Sequence, residues 1–369
     1  HMLGEEGEDA SMGKQIAVSL LLIFLIFFLP WLWGGPARAP EPRPEPQPAE
    51  DLPPQPEEDD PAPDSGSREP GRDSTTVLNL LADGKLQQTD METYLMGVVR
   101  AEMPAAFHQE ALKAQAVAAR TYILHKIAGG GSANHPQADA CDDITCCQAY
   151  KTQADAAADW GEHAAEYEEK IRRAVTETDG ECVLYEGAPV LAVFHSSSVG
   201  TTQDAQSVWS ASLPYLQSVE TPEGEDTVPN YRSTAVFSAG ELGERLREAL
   251  PEAVLEGSPS NWFTNIQQQP AGMVTSLSVG GVEVGGNRLR TILDLRSACF
   301  TIAFDGDEVT FSVSGYGHGV GMSQYGSNVL AEGGMTYQEI LEAARTCSGP
   351  YCKACPVCNG RACKNTMPG

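Results

Sequence analysis

Basic side chains are scarce in this chain of 369 residues. It has 24 lysines and arginines against 51 aspartates and glutamates, which gives a formal net charge of −27. A general nucleic-acid-binding protein is excluded, because contacts to phosphates need a basic surface. The same deficit argues against docking on anionic lipid through a basic patch. Aromatic residues are also few, at 7%, but 41% of the residues are hydrophobic and the length allows one large domain or two ordinary ones.

Near the amino terminus, residues 16–33 form an apolar run without any charge. Eighteen helical residues extend roughly 27 Å, enough to cross the core of a bilayer. Trp31 and Trp33 lie at one end, where indoles prefer the membrane interface. We therefore predict a short tail (1–15) and an uncleaved transmembrane anchor (16–34). A cleaved signal peptide and a buried core helix are the alternatives.

A proline-rich acidic stretch follows the apolar run. Residues 36–73 hold 12 of the 25 prolines, with eleven acidic and four basic side chains. Almost no aliphatic residues are present to form a core, and repeated X-Pro steps favour extended polyproline II. The sequence predicts a disordered linker over 35–74. A proline-rich recognition motif is the alternative interpretation.

The region 75–345 has the pattern of a folded domain. Asp90 is a candidate N-cap of a helix that ends at Met103-Pro104, and an alanine-rich helix is expected over 110–128. Alternating segments predict later strands at 181–185, 190–195, 274–279, 300–303 and 309–313. Because helices come first and strands afterwards, the expected fold class is α+β.

Glu102 is the first candidate for chemistry. It lies between an apolar helix face and the Met-Pro turn, where a carboxyl group can have a raised pKa and act as a general acid. A solvated glutamate at a helix end is the alternative.

The sequence FHSSSVGTT at 194–202 suggests a polar cradle for hydroxyl groups. His195 precedes Ser196 and Ser197. A Ser–His nucleophile is disfavoured, because adjacent residues on a strand point to opposite faces.

The sequence GYGHGVGMSQYG at 315–326 combines five glycines with Tyr316, His318, Gln324 and Tyr325. Glycines let the backbone approach a ligand closely, and aromatic rings stack on sugars. The segment lacks the Gly-Lys-Ser ending of a phosphate loop. An ordinary glycine-rich turn is the alternative.

A metal site is predicted from the spacing H-x5-C-x5-C. The residues are His135, Cys141 and Cys147, and an imidazole with two thiolates suits Zn²⁺. The fourth position is open to water, substrate or another side chain such as Cys146. A disulfide between these cysteines is the alternative in an oxidising compartment.

Several motifs together resemble the stage II sporulation protein D family (SpoIID). In chain order they are METYLMGVVRAEMP, EALKAQAVAARTY, CCQAY, VFHSSSVGTT, QSVWSASLPYLQSVE, LRTILDLRS and GYGHGVGMSQYG. The resemblance covers roughly 80–345, and an anchor followed by an extended stalk is also usual in that family.

The resemblance implies a peptidoglycan lytic transglycosylase. It would cleave the bond from N-acetylmuramic acid to N-acetylglucosamine in peptide-stripped glycan, leave a 1,6-anhydro end, and act during engulfment of the forespore. Glu102 of the AEMP motif would protonate the leaving oxygen and then activate the muramic C6 hydroxyl, so that one carboxylate can suffice where ordinary glycosidases need two. The implied substrate-binding residues are Arg120, His195, Ser196, Ser197, Tyr316, His318, Gln324 and Tyr325.

The resemblance also implies a zinc loop, a location and partners. His135, Cys141 and Cys147 match the zinc loop of clostridial members, where the metal is expected to be structural. The domain would face the cell wall from a single-pass membrane anchor. A sporulation membrane protein and amidase or endopeptidase partners are expected, and no nucleic acid.

The tail at 346–369 departs from the family pattern. Cys352, Cys355, Cys358 and Cys363 have the spacing C-x2-C-x2-C-x4-C, a candidate second metal cluster. The stretch from Met335 resembles the amino-terminal part of clostridial FMN-dependent α-hydroxy-acid oxidising proteins, but no FMN-binding barrel follows and we expect no oxidase activity. A joined or truncated reading frame, a zinc knuckle and a disulfide cluster all remain open.

Two other functional classes stay open at the level of sequence. One is a non-catalytic wall-binding module that recruits an amidase, as some members of this family stimulate partners. The other is a zinc hydrolase that uses His135, Cys141 and Cys147.

Overall fold

The structure is a computed structural model that describes residues 71–132 and 134–344. The predicted anchor, nearly all of the predicted linker and the cysteine-rich tail lie outside these residues. Within them the chain mixes helices and sheets, in agreement with the predicted α+β class. No helix between 71 and 344 combines the length and the apolar character needed to span a membrane.

Ten α-helices are defined within the described ranges: α1 Arg72–Thr75, α2 Met91–Glu102, α3 Gln109–Ala128, α4 Gln153–Trp160, α5 Ala164–Thr176, α6 Ala205–Trp209, α7 Ala239–Ala249, α8 Gly286–Leu293, α9 Gln324–Glu332 and α10 Tyr337–Ala343. The strands there are β1 Val77–Ala82, β2 Lys85–Asp90, β3 Ala140–Cys141, β4 Leu184–Tyr185, β5 Ala188–Pro189, β6 Phe194–His195, β7 Arg232–Ser238, β8 Phe263–Gln268, β9 Val274–Val279, β10 Val282–Gly285, β11 Phe300–Asp305, β12 Glu308–Ser314 and β13 Met322–Ser323.

Helix α3 is the centre of the first hydrophobic core. It contacts α2, α5, α9 and α10. Its alanines let neighbouring helices approach on several sides, and residues from Ala111 to Ile123 are almost all buried. Helix α2 begins at the predicted cap, since the Asp90 carboxylate accepts a hydrogen bond of 2.8 Å from the Thr93 N–H.

A second hydrophobic core belongs to the strand-rich part, between β7 and β12. Strand β12 pairs antiparallel with both β7 and β11, and β9 pairs antiparallel with β8 and β10. Phe237, Phe263, Phe300 and Phe311 pack with leucines of α7 and α8 in this core. The predicted strand at 274–279 has the observed bounds, and those at 300–303 and 309–313 extend to Asp305 and over Glu308–Ser314.

Short pairings bring the two polar motifs together. Strand β6 pairs parallel with β13, so that His195 lies opposite Ser323. Ser197 forms an antiparallel bridge with Tyr316. Gly321 permits this approach: its φ is +75°, and a Cβ there would lie 2.2 Å from the Val193 carbonyl oxygen.

The strands predicted at 181–185 and 190–195 are much shorter in the structure. Only Leu184–Tyr185 and Phe194–His195 are strand. Flanking backbone groups bond elsewhere: the Val183 N–H donates to the Thr121 hydroxyl (2.9 Å). The Val193 N–H donates to the Leu191 carbonyl within a turn. Local alternation therefore overstated the extent of strand.

Candidate active site

Glu102 occupies the last position of α2, where the helix meets the turn at Met103. Its Oε1 accepts a hydrogen bond of 2.7 Å from the Ala149 N–H. Burial raises the pKa of Glu102 above its usual range, while the Ala149 N–H and the Gln324 side chain partly offset this. A raised pKa keeps the carboxyl group protonated to higher pH, as a general acid requires.

Gln324 connects Glu102 to the glycine-rich segment. It is 5% exposed and is the first residue of α9, and it interacts with the Glu102 carboxyl. Its Nε2 also donates to Oε1 of the buried Gln115 on α3 (3.4 Å). The predicted site residues Glu102 and Gln324 therefore come together, from opposite ends of the sequence.

His195 and His318 lie side by side, with ring centroids 5.8 Å apart. Burial lowers the pKa of His195 to about 4. Burial, together with the neighbouring His195, also lowers the pKa of His318. Both rings are therefore neutral at pH 7, and they offer hydrogen-bonding nitrogens rather than charge.

The serines beside His195 have separate surroundings. The Ser196 carbonyl accepts the Tyr325 N–H (3.0 Å). The Ser197 hydroxyl is buried without a hydrogen-bond partner among the described residues, and His195 Nδ1 contacts the Val320 carbonyl (3.2 Å) instead. No Ser–His pair forms here, as the strand geometry predicted.

Exposed aromatic rings border this region. Tyr316 is 44% exposed and lies under the Arg296 guanidinium, 4.4 Å from its centroid. Trp209 is 41% exposed, and its ring lies 5.1 Å from that of His318. Exposed rings of this kind form stacking surfaces for sugars. Tyr325, by contrast, packs edge-on against Phe107 in the helical core (4.9 Å).

Glu223 was missed by sequence reasoning, although it is 4% exposed within the same group of segments. Its Oε1 accepts hydrogen bonds from the Ser198 N–H (2.8 Å) and the Ser323 hydroxyl. Oε2 has no partner among the described residues, and a Cβ at Gly326 would lie 2.5 Å from it. The carboxylate therefore fixes the start of α9, one residue before Gln324.

Arg120 does not take the predicted substrate-binding position. It is 1% exposed, and its guanidinium is paired with Asp73 at 2.6 Å. It also donates to the Glu181 carbonyl (3.0 Å). The prediction that Arg120 contacts substrate is therefore corrected: the side chain is enclosed and joins α3 to α1.

The predicted metal loop brings metal-ligating side chains together, but Cys146 takes the place that the spacing gave to Cys147. Ligand atoms of His135, Cys141 and Cys146 all lie within 4.8 Å of one another. The Cys147 sulfur lies 3.1 Å from that of Cys141, and the Lys126 ammonium donates to it (2.6 Å). The structure therefore favours Cys146 as the second thiolate where the spacing predicted Cys147.

The chemistry of these donors fits zinc. An imidazole and two thiol sulfurs are the ligands that Zn²⁺ prefers, and the set leaves a further position open. Although burial raises the pKa of Cys146, hydrogen bonds from Ser132, Cys141 and Lys126 lower it on balance. Burial raises the pKa of Cys141 to about 12. Cys141, Cys146 and Cys147 form no disulfide and are free thiols.

Comparison with known proteins places the chain in a family. A model of "Stage II sporulation protein" (SpoIID) matches residues 83–185. Stage II sporulation protein D of Bacillus subtilis is 35% identical, over 71% of this chain and 74% of its own length. The protein of the same name from Bacillus amyloliquefaciens is also 35% identical, over 70% and 73%. The chain belongs to the stage II sporulation protein D family.

A more distant relative carries a different name. An "Amidase enhancer" of Bacillus subtilis is 27% identical over 67% of this chain and 39% of its own length. The SpoIID family model covers Glu102 and the thiol loop, whereas the glycine-rich segment at 315–326 lies beyond it. The tail with its resemblance to FMN-dependent proteins lies outside the described residues, and that resemblance stays a prediction.

Proposed function

We propose that this SpoIID-family protein is a membrane-anchored lytic transglycosylase. Its substrate would be peptide-stripped peptidoglycan glycan, cleaved between N-acetylmuramic acid and N-acetylglucosamine during engulfment. The observation that carries the proposal is the Glu102 carboxyl, which has a raised pKa and is positioned by the Ala149 N–H and by Gln324 of the glycine-rich segment.

The reaction needs one carboxyl group. Protonated Glu102 gives its proton to the glycosidic oxygen, and the bond from this oxygen to C1 of the muramic residue breaks. The C6 hydroxyl oxygen of the same residue bonds to C1, and the Glu102 carboxylate takes the hydroxyl proton. No water is consumed, and the acid is restored. Within the described part of the chain, no second carboxylate is among the causes of the Glu102 pKa shift.

Other residues would hold the glycan. Trp209 and Tyr316 offer exposed rings for stacking. Neutral His195 and His318 suit sugar hydroxyls, because a neutral imidazole both donates and accepts hydrogen bonds. The stacking surface and the acid share one segment: His318 contacts Trp209, and Gln324 contacts Glu102.

Zinc would have a positional role. His135, Cys141 and Cys146 would hold the zinc ion. The bound ion would crosslink the loop that leads to Ala149. Since the Ala149 N–H donates to the Glu102 carboxyl group, an ordered loop would help to fix the position of Glu102. The anchor at 16–34 and a wall-facing domain are part of the proposal, as are a sporulation membrane protein and amidase or endopeptidase partners.

The proposal is tested with full-length chain and purified peptide-free glycan, with products identified by mass. We expect 1,6-anhydro ends from the natural sequence and none from Glu102→Gln, which keeps an oxygen for the Ala149 N–H. Glu244→Gln, at an exposed position on α7, is the matched control and should be fully active. Products that have gained water, or unchanged activity in Glu102→Gln, would contradict the mechanism.

A second candidate function is a wall-binding module that activates an amidase. The similarity to the "Amidase enhancer" favours it. It predicts that the chain binds glycan and stimulates a purified amidase while no anhydro ends form at any concentration. Stimulation that survives Glu102→Gln would separate this role from catalysis.

A further inference from the structure

A third thiol lies beside the donors of the proposed zinc site. The group of His135, Cys141 and Cys146 does not include Cys147, yet the sulfurs of Cys141 and Cys147 are only 3.1 Å apart. A metal ion held by this group would therefore have an uncoordinated sulfur in contact with one of its ligands. The loop carries one sulfur more than the group of three donors needs, and the sulfur of Cys147 is free for other chemistry.

Of the disulfides that Cys147 could form, the distances favour the one to Cys141. The two sulfurs have to approach by only about 1 Å, because an S–S bond is about 2.05 Å long. The sulfurs of Cys146 and Cys147 lie farther apart, at 4.0 Å. Those two residues are also adjacent, and their Cα atoms, about 3.8 Å apart, are closer than the roughly 4.4–6.8 Å that disulfides prefer. A bridge from Cys141 to Cys147 avoids this strain.

Lys126 of α3 and a backbone group hold the Cys147 sulfur next to Cys141. The Lys126 ammonium donates to this sulfur at 2.6 Å, and the Cys141 N–H donates to it at 3.1 Å. Lys126 also donates to the Cys146 carbonyl (2.8 Å), which fixes the peptide just before Cys147. Because Cys147 is only 8% exposed, a small reagent is needed to reach its sulfur. Hydrogen peroxide is such a reagent, and it oxidises thiols.

We propose that Cys141 and Cys147 are a site of reversible oxidation by peroxide, and that their disulfide excludes zinc from the loop. The inference rests on the proposed zinc site and adds a second state to it. Cys141 cannot serve both states, since its sulfur is either a metal ligand or one half of the disulfide. Outside the membrane, where the proposed function places the domain, disulfides persist. The loop would then exist in a reduced zinc form and in an oxidised form without the metal.

The oxidation proceeds in two steps. The Cys147 sulfur bonds to one oxygen of hydrogen peroxide, the O–O bond breaks, and the other oxygen leaves as water with the thiol proton. The Cys141 sulfur then bonds to the sulfur of this sulfenic acid, whose hydroxyl group leaves as a second water. The proton for this water comes from the Cys141 thiol or, where Cys141 releases zinc instead, from solvent. Two electrons pass from the sulfurs to the peroxide, and a dithiol such as dithiothreitol returns two electrons and two protons by exchange.

The pair also lies close to the proposed acid along the chain. Ala149, whose N–H donates to the Glu102 carboxyl group (2.7 Å), follows Cys147 by two residues. A Cys147 side chain that turns from Lys126 toward Cys141 would shift the backbone that leads to Ala149. We therefore expect the oxidised form to hold Glu102 less firmly than the zinc form does.

Peptide mapping of the full-length chain in detergent tests which cysteines pair. After treatment with hydrogen peroxide, free thiols are alkylated and the chain is cut by a protease that cleaves before aspartate. Asp142 and Asp143 lie between Cys141 and Cys147, so a disulfide between these cysteines would link two peptides, whereas a bridge from Cys146 to Cys147 would link none. The linked peptides should appear in the natural sequence and in Cys146→Ser, and should be absent from Cys147→Ser.

Zinc affinity, measured by competition with a chromogenic chelator, tests the exclusion of the metal. Oxidation should weaken zinc binding by at least about tenfold, because a ligand is lost, and dithiothreitol should restore it. Cys147→Ser is the matched variant: it keeps the three donors and should keep its zinc affinity after the same exposure to peroxide. Since the tail cysteines at 352–363 are the same in both chains, the difference between the chains belongs to the loop.

Fragmentation of the linked peptides distinguishes Cys146 from Cys147 in the natural sequence, which covers the case in which Cys147→Ser fails to fold. A bridge to Cys146, an absence of linked peptides, or a zinc affinity unchanged by oxidation would overturn the inference. A reduced chain that binds no zinc would overturn it through the metal site, whatever the peptides show. Loss of anhydro products in both states would remove the lytic activity and leave the redox pair standing.

Discussion

At the scale of single residues, the proton on Glu102 is the controlling quantity. Burial raises its pKa, and two hydrogen bonds from Ala149 and Gln324 act in the opposite direction. The raised pKa was predicted from the apolar helix face and the Met-Pro turn, and it is confirmed. The two partners were not predictable as partners, because Ala149 and Gln324 reach Glu102 only through the tertiary fold.

A pH profile follows from the direction of this shift. The acid must be protonated for the first step, so activity should fall as pH rises through the pKa of Glu102. Gln324→Ala removes a hydrogen bond that lowers the pKa, and the alkaline limb should therefore move to higher pH. The rate of anhydro-end formation, measured from pH 4 to about 9, checks this, with Gln87→Ala as the control. A limb that moves to lower pH would contradict it.

His195 provides a prediction about stability rather than rate. Its pKa is lowered to about 4 in the folded state, whereas it is about 6.5 in an unfolded chain. The folded state therefore binds fewer protons between these values, and stability falls as pH decreases from 6.5 toward 4, by on the order of 3 kcal/mol. His195→Gln should flatten this part of the curve of unfolding free energy against pH in urea titrations. An unchanged slope would show that the imidazole is accessible to protons in the folded chain.

At the scale of elements, the start of α9 depends on one buried carboxylate. Glu223 bonds the Ser198 N–H and the Ser323 hydroxyl, and so ties the serine motif to the residue that caps α9. Sequence gave no sign of this role, because Glu223 lies in an acidic polar stretch, and its partners are 25 and 100 residues away.

Glu223→Ala should destabilise the chain by about 1–3 kcal/mol, because two buried donors lose their acceptor. It should also lower kcat more than KM, since Gln324 follows the capped residue directly. Glu223→Gln keeps one acceptor oxygen and should recover most of both losses. Steady-state kinetics and urea unfolding measure these effects; a change confined to stability would limit Glu223 to a structural role.

The enclosed ion pair between α1 and α3 gives the next prediction. Arg120→Ala leaves the buried Asp73 carboxylate unpaired and should cost about 3–5 kcal/mol of unfolding free energy. KM for glycan should stay unchanged at temperatures where the variant is folded. Arg172→Ala, which breaks an exposed pair with Glu169, should cost less than about 1 kcal/mol. A raised KM in Arg120→Ala would restore the substrate-binding role that the structure argues against.

At the scale of the whole molecule, the sequence predicted the main elements of the two cores better than the segments that connect them. A helical stripe of apolar residues predicted α2, alanine-rich composition predicted α3, and alternation predicted β9, because local patterns decide these elements. Strand β6 was predicted only as the end of a longer strand, and the two residues of β13 have too little pattern to be predicted. The pairing of β6 with β13 depends on the tertiary fold. The metal loop lies between these cases. Spacing predicted its composition, whereas the position of Cys146 rather than Cys147 in the group with His135 and Cys141 is a matter of tertiary structure.

Zinc content tests that choice. Cys146→Ser should reduce zinc affinity by at least about tenfold through loss of a ligand, and Cys147→Ser should reduce it less. Bound zinc is measured by elemental analysis and by competition with a chromogenic chelator. Cys299→Ser, in a separate buried cluster, is the control. The opposite order would return the second thiolate to Cys147.

The attachment of the chain at Gly71 has a mechanical consequence. The N–H groups of Arg72 and Asp73 each donate to the Asp179 carboxylate at 2.9 Å, and the Asp73 side chain holds Arg120 in the middle of α3. A pull on the chain ahead of Gly71 would therefore be borne first by α3 and by the turn after α5. Strands β1 and β2, which lead to Glu102, follow these contacts in the sequence. Tension that does not break the Asp73–Arg120 ion pair would leave Glu102 in its position in the site.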